Sequence, residues 1–502
     1  MTAKPYRILI QNNLHVLSAT RDISDDCDCA GGDCACSISD TGYHELPKMS
    51  DLNLADIRNY KKTPTSQVMY LCDELNLYFG PHHRVVAMNC VGQELLNSFD
   101  FPNSQDYDLT DIDLQNAIKN LIGGGLLVKK SWQAPLIQEE SQTLTAWFHV
   151  TDRCNLRCSY CYLPHVREDM SEETGKASID AIFRSAMANG FSRVKIKYAG
   201  GEPLLRFNLI ITLHQYAQQL ALQNSMALEG VVLSNGTLLT TEIVEFLKLL
   251  SLRLMISLDG LGESHDRHRP YAGGRGSFSD VSTAVEIALA GGLVPNISVT
   301  VSGRTADSLP QLISWILELD LPFSLNFYRE NELSASHIDM KLDEEKIING
   351  MLAAFKVIET NIPRRSLLSS IVDRANLSAP HQHTCGVGQN YLVFDQNGQV
   401  AKCQMHIRKP ITNMHVKDPL AIIRADQIGI QNLSVEEKEG CRTCEWKYWC
   451  TGGCSLATYR ATGRYDVKSP NCNIYKALYP EAVRLEGLRL LKYADDPEVV
   501  IQ

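Results

Sequence analysis

The chain predicts an α/β fold: six strand–helix units forming a parallel sheet that closes partway into a (β/α)6 barrel. Three observations predict it. Between Leu144 and Ser378, short apolar runs rich in β-forming residues alternate with segments of helical periodicity. Such alternation joins parallel strands through right-handed crossovers. The first strand also runs directly into a cysteine-rich loop, and barrels carry their chemistry at the C-terminal ends of their strands.

The six strands are read at Leu144–Thr151, Val194–Tyr198, Gly230–Leu233, Leu252–Leu258, Pro295–Val301 and Pro322–Phe327. Helices are read between them at Glu172–Asn189, Leu204–Asn224, Thr240–Leu250, Phe278–Ala290 and Ser308–Leu319. Ahead of this barrel, residues 43–135 read as a small winged-helix-like module. Gln67–Leu71 and His83–Met88 are strand-like and are separated by the turn signal Gly80-Pro81. A helical run begins at Asn89 or Cys90, and a second helix follows Asp111 with Leu114, Ala117, Ile118 and Leu121 at helical spacing. Gly123-Gly-Gly125 stops it, and Leu126–Val128 returns as a strand. Residues 379–475 read as a cysteine-rich domain and 476–502 as a C-terminal helix or tail.

A chain of 502 residues is too long for one compact core. Its 44% hydrophobic and 21% charged residues are ordinary for a globular protein. A net charge of −10 excludes a general nucleic-acid binder, which needs a basic excess. There is no signal-peptide pattern and no membrane-spanning apolar run, so a cytoplasmic protein with reduced thiols is expected. Sixteen cysteines then point to metal or redox chemistry rather than disulfides. Cys72 and Cys90 stand apart and read as buried small hydrophobes. Cys27, Cys29, Cys34 and Cys36, two Cys-x-Cys pairs within residues 1–42, read as a mobile or accessory segment or as a metal or redox site.

The loop after the first strand is Cys154-x3-Cys158-x2-Cys161. Three thiolates on one loop can hold three irons of a [4Fe–4S] cluster and leave the fourth without a protein ligand. A redox or zinc cysteine pair with a third neighbour is the plainer alternative. Strand two ends in Ala199-Gly200-Gly201-Glu202-Pro203, where glycines permit close backbone approach and a carboxylate can accept from an ammonium group. With Tyr160 just before the last cysteine, these motifs resemble the radical S-adenosylmethionine (radical SAM) superfamily.

The resemblance implies a cluster whose open iron chelates SAM, and one-electron cleavage of SAM to a 5′-deoxyadenosyl radical that abstracts hydrogen. It implies that Tyr160 stacks on adenine and that Gly200, Gly201, Glu202 and Pro203 form the motif for the methionine amino group. Ser234, Asn235 and Ser257, at the ends of strands three and four, are expected at the ribose or methionine. Asp259 reads either as a SAM contact or as a carboxylate that orders its turn. Arg269, in His265-Asp-Arg-His-Arg269, is expected at the SAM carboxylate, with a solvated basic loop as the alternative.

The C-terminal cysteines are Cys385, Cys403, Cys441-x2-Cys444-x5-Cys450-x3-Cys454 and Cys472. They resemble the SPASM extension, which carries two auxiliary [4Fe–4S] clusters; a zinc ribbon would explain only Cys441 and Cys444. The resemblance assigns Cys385, Cys403 and Cys454 to one cluster and Cys441, Cys444, Cys450 and Cys472 to the other. The first then has an open iron or borrows His381 or His383, which otherwise read as loop residues.

A peptide-modifying maturase is the function implied, one that crosslinks a ribosomally made precursor by a thioether, C–C or C–O bond. Its expected partners are the precursor's leader, added as a strand to the N-terminal sheet, and an external electron donor such as flavodoxin or ferredoxin. A purely structural N-terminal cap is the alternative for that module. The rival functions are maturation of a protein cofactor, formylglycine or quinone-type, and a non-catalytic iron–sulfur electron-transfer or regulatory protein. Gln404 follows Cys403 where sulfatase-maturing relatives typically carry aspartate, which weakens the formylglycine reading. Tyr198, Asn326, Tyr328 and Arg329 are barrel-facing candidates by strand position. No catalytic acid or base is assigned.

Overall fold

The computed structural model describes residues 6–11, 54–63, 67–72, 75–79, 85–100, 107–132 and 141–501 except 379. Cys27, Cys29, Cys34, Cys36 and the Gly80-Pro81 turn lie outside the described residues. The N-terminal strands are β1 (Ile8–Gln11), β2 (Tyr60–Lys62), β3 (Gln67–Cys72), β4 (Leu75–Phe79) and β5 (Val85–Asn89). β1, β5, β4 and β3 lie side by side in that order, all antiparallel. Helix Cys90–Ser98 starts where the Asn89 side chain accepts from Gly92 N, and helix Ile112–Gly123 where Asp111 accepts from Asp113 N and Leu114 N. Each such cap is worth about 1 kcal/mol. β6 (Leu127–Lys129) pairs antiparallel with β2 as a two-stranded wing.

Alternation along the strands decides what this sheet packs on. Ile8, Ile10, Val86 and Met88 face the helices, where they meet Leu96, Ile118 and Leu121. Leu9, Leu75, Leu77, Val85 and Ala87 face the other way and join the main core.

The barrel strands are β7 (Thr143–His149), β8 (Arg193–Ala199), β9 (Ala227–Ser234), β10 (Leu252–Ser257), β11 (Asn296–Val301) and β12 (Phe323–Phe327). They lie in sequence order and all neighbours are parallel. The helices between them are Glu172–Ala188, Phe207–Gln223, Thr241–Leu249, Phe278–Ala290 and Leu309–Glu318. Every residue of β7 is buried, as expected for a strand covered on both faces.

The barrel does not close. β13 (Tyr391–Phe394) instead pairs parallel with the free side of β7, and β14 (Gln399–Ala401) and β15 (Thr412–Asn413) extend the sheet antiparallel to nine strands. The cysteine-rich C-terminal region is thus continuous with the barrel sheet. A long helix, Cys472–Lys492, leads to β16 (Val500–Ile501), which pairs antiparallel with β1.

These pairings cross two expected boundaries. β1 lies within residues 1–42 yet belongs to the sheet of the 43–135 module. Residues 476–502 are no loose tail, because their helix packs on that sheet so closely that a Cβ at Gly487 would fall 2.4 Å from Leu77. Cys90 is exposed at the first position of its helix, not buried as expected. Among the described residues no helix is long and apolar enough to cross a membrane.

Candidate active site

A single cavity opens at the C-terminal ends of the barrel strands. Its walls include Cys154, Tyr160, Cys158, Cys161, Gly200, Gly201, Ser234, Asn235, Ser257 and Arg269, so ten of the twelve residues expected around the cluster and SAM meet there. Glu202 and Pro203 are buried behind the wall. The cysteine loop is held by the segment after β10: Arg157 N donates to Pro270 O at 2.8 Å, Ser159 N to His268 O at 3.0 Å and Ala272 N to Asn155 O at 2.9 Å. That segment is not a solvated basic loop, since His265, His268 and Arg269 are all buried.

The two glycines serve the cysteine loop as well as the cavity. A Cβ at Gly200 would lie 2.4 Å from Thr151 O, and one at Gly201 would lie 2.3 Å from Arg153 O. Gly201 N donates to Thr151 O at 2.7 Å and Glu202 N to Arg153 O at 2.8 Å. The Glu202 carboxylate, fully buried, accepts from Leu204 N at 3.0 Å, Ser234 Oγ at 2.8 Å and Asn235 N at 2.7 Å. Burial raises its pKa against these hydrogen bonds. Glu202 therefore clamps the end of β8 to the end of β9. Asn235 carries the clamp forward, with Nδ2 donating to Asn155 Oδ1 at 2.9 Å and lying 3.9 Å from Cys154 Sγ.

Asp259 is a second buried hub. It accepts from Tyr160 OH at 2.5 Å and Thr300 N at 2.8 Å, and lies 3.4 Å from Arg269. Arg269 also donates to Tyr160 OH and stands 5.7 Å over its ring centroid. Although burial alone would raise the Asp259 carboxyl, Arg269 holds it below the usual range. Burial raises all three loop thiols, Cys161 to about 12. Among the described residues no three His, Cys, Asp or Glu side chains converge as a single ion requires. A cluster needs no such point, because each thiolate takes its own iron. Three buried thiols on one loop at a cavity wall fit such a cluster.

The C-terminal cysteines separate into two places. Cys441, Cys444, Cys450 and Cys472 line one small cavity with Trp446, Tyr475 and Tyr479. Cys385, Cys403 and Cys454 pack together with Cys161, Tyr391 and Ile407 between barrel and C-terminal region. Burial pushes the Cys385 thiol up, and that of Cys450 to about 12. Cys454 is the exception: burial would raise it, but Arg329 and Arg374 pull it below its ordinary value. His381, in the loop before Cys385, donates its backbone N–H to Tyr448 O.

Residues 148–316 match the model of the Radical SAM superfamily. The chain carries a radical SAM domain. Such a domain binds SAM on a [4Fe–4S] cluster. An uncharacterised protein of Methanocaldococcus jannaschii is 28% identical over 43% of this chain and 73% of its own length. A serine-type anaerobic sulfatase-maturating enzyme of Klebsiella aerogenes is 24% identical over 64% of this chain and 82% of its own. In fold, the chain is similar to native anSMEcpe with bound AdoMet and Cp18Cys peptide (TM-score 0.57, 20% identity, 69% of this chain and 98% of that one).

Of the strand-position candidates, Tyr328 and Arg329 line the radical SAM cavity. Asn326 is buried, with Nδ2 3.4 Å from Ser298 Oγ. Tyr198 points the wrong way: it faces the helix layer, its OH 3.2 Å from His214 Nδ1. The strand starts at Arg193, so Lys195, Lys197 and Ala199 take the inner positions. Trp147, His165, Thr300 and Met405 also line the cavity and were not read from the sequence. Trp147 was accessible to reasoning as an aromatic on strand one; Met405 was not, because a distant hairpin delivers it.

Proposed function

We propose that the protein is a radical SAM maturase that oxidatively crosslinks a ribosomally made peptide by a thioether, carbon–carbon or carbon–oxygen bond. The observation that carries this reading is the gathering of all seven C-terminal cysteines into two sets, three beside the barrel mouth and four in a cavity behind it. Two auxiliary clusters fit these sets. The N-terminal sheet adds support: β16 covers its β1 side, and among the described residues β3 is bonded on one side only. A free edge of this kind accepts an added strand, the mode by which a leader peptide would dock. Residues 6–132 with β16 would be the recognition module, and the barrel and C-terminal region the catalytic body.

When bound, the cluster supplies the electron that cleaves SAM to a carbon radical able to take hydrogen from the substrate; flavodoxin or ferredoxin is the expected donor. The chain's residues do the rest. Cys154, Cys158 and Cys161 hold the cluster, and Glu202 braces the strand ends so that Gly200, Gly201, Ser234 and Asn235 face SAM. Tyr160 and Arg269, locked by Asp259, hold the far side. Trp147, Leu163, Tyr328 and Met405 supply apolar wall that keeps water from the reactive centre.

The similarity to sulfatase-maturating enzymes favours a second reading, oxidation of a protein side chain to formylglycine. Gln404 weighs against it. This residue is fully buried, accepts from Tyr391 OH at 3.0 Å and is an amide, which cannot take a proton as a carboxylate would. The test is to incubate reconstituted enzyme with SAM, reductant and the peptide encoded beside its gene. Loss of two hydrogens with formation of 5′-deoxyadenosine supports the crosslinking reading, and an unchanged peptide mass rejects it.

A further inference from the structure

Arg374 stands at an unusual place. Its backbone is left-handed, with φ of 57°, a conformation that costs a non-glycine residue about 1–2 kcal/mol. Its Nε and Nη1 are buried without a hydrogen-bond partner. Leaving such donors unpaired costs roughly 1–3 kcal/mol or more for a charged group. The neighbouring residues pin the segment. Asp373 holds Arg329 with bonds of 2.9 and 2.8 Å, and Asn376 N donates to Trp449 O at 3.1 Å. The strain is thus maintained by its surroundings, and its effect is to bring a guanidinium to Cys385 and Cys454. Arg329 reaches the same sulfur from the other side, hydrogen-bonding Cys454 while lining the radical SAM cavity.

We propose that Arg374, together with Arg329, is a positioning residue for the first auxiliary site, its unpaired N–H groups serving as donors to the sulfur-rich anion held by Cys385, Cys403 and Cys454 and raising its reduction potential. The inference rests on the reading that these three cysteines hold a cluster. The physical reason is direct. Taking up an electron makes the site more negative, a fixed cation beside it stabilises that form, and hydrogen bonds to cluster sulfurs act in the same sense. Arginine suits the task because its charge survives burial.

The experiment is an EPR-monitored redox titration of the full-length, iron–sulfur-reconstituted protein. C385A and C454A identify the signal of the first auxiliary site by deleting it together with one cluster's worth of iron. R374N and R374G then remove the charge with residues that tolerate the left-handed backbone, and R374K keeps the charge. Expected is a tenfold fall in the reduced-to-oxidised ratio at fixed potential in R374N and R374G, about 59 mV for one electron. R374K should recover more than half of it, with the signal assigned to Cys154, Cys158 and Cys161 unmoved. If C385A and C454A keep all iron and all signals, the cluster reading falls and the inference with it. If the signal is assigned but R374N titrates with the parent protein, or R374K shifts as far as R374N, only the role of Arg374 is overturned.

Discussion

The thiols at the barrel mouth and those of the first C-terminal set are about equally buried, yet their surroundings have opposite sign. Behind Cys154, Cys158 and Cys161 stand two buried carboxylates, Glu202 and Asp259, each saturated by hydrogen bonds from several elements. Beside Cys385 and Cys454 stand two guanidinium groups, with Lys438 buried nearby and donating to Thr451 O at 2.7 Å. The carboxylates knit strand ends into a rigid rim for SAM. The cations favour extra negative charge, which suits a site that receives an electron rather than one that must spend it.

The largest expected effect separates the two regions by stability. D373N leaves Arg329 charged and buried without its carboxylate, and should destabilise the protein by ~3–5 kcal/mol in denaturant unfolding. A loss below 1 kcal/mol would show the cation cluster to be self-supporting. At the barrel mouth, E202A strands donors on Leu204, Ser234 and Asn235 and should cost ~2–4 kcal/mol while weakening SAM binding. E202Q, which keeps acceptor capacity, should cost less, as equilibrium dialysis against SAM and thermal melts would measure.

A third effect comes from pH. His265 is fully buried, its Nδ1 3.3 Å from Asp259 N, and burial lowers its pKa to about 4. The folded state therefore binds fewer protons than the unfolded one between the two pKa values. Stability is fully present above about pH 6.5 and falls as pH drops toward 4, by ~3 kcal/mol from this residue. H265Q should flatten that part of the curve measured by urea melts. The smallest effect is Y160F, which removes the hydroxyl between Asp259 and Arg269 and should cost ~1 kcal/mol. Because Arg269 still meets Asp259, SAM affinity should fall only a few-fold by dialysis; a loss beyond a hundredfold would place the hydroxyl on SAM itself.

How much of this was legible depended on range. Barrel strands and helices carry their own periodicity, and their ends fall within three residues of the expected positions. The cavity residues came from motifs at strand ends. Glu202 was legible as a functional carboxylate but not as a clamp, because its partners lie on the next strand. Arg374 had no sequence signal at all: its importance comes from a left-handed backbone and from cysteines that the fold delivers from either side of it. The strand Leu75–Phe79 and the pairing of β16 with β1 escaped for related reasons. The former is a short alternating run beside a stronger one, and the latter joins residues at opposite ends of the chain.

The central claim is a division of labour, in which the barrel loop starts the chemistry and the C-terminal cysteines complete it. The most direct test is the C441A/C444A double variant, assayed for both 5′-deoxyadenosine and peptide mass. The account predicts that SAM is still cleaved to 5′-deoxyadenosine while the peptide no longer loses two hydrogens. Loss of SAM cleavage in that variant, or an undiminished yield of crosslinked peptide, would contradict it.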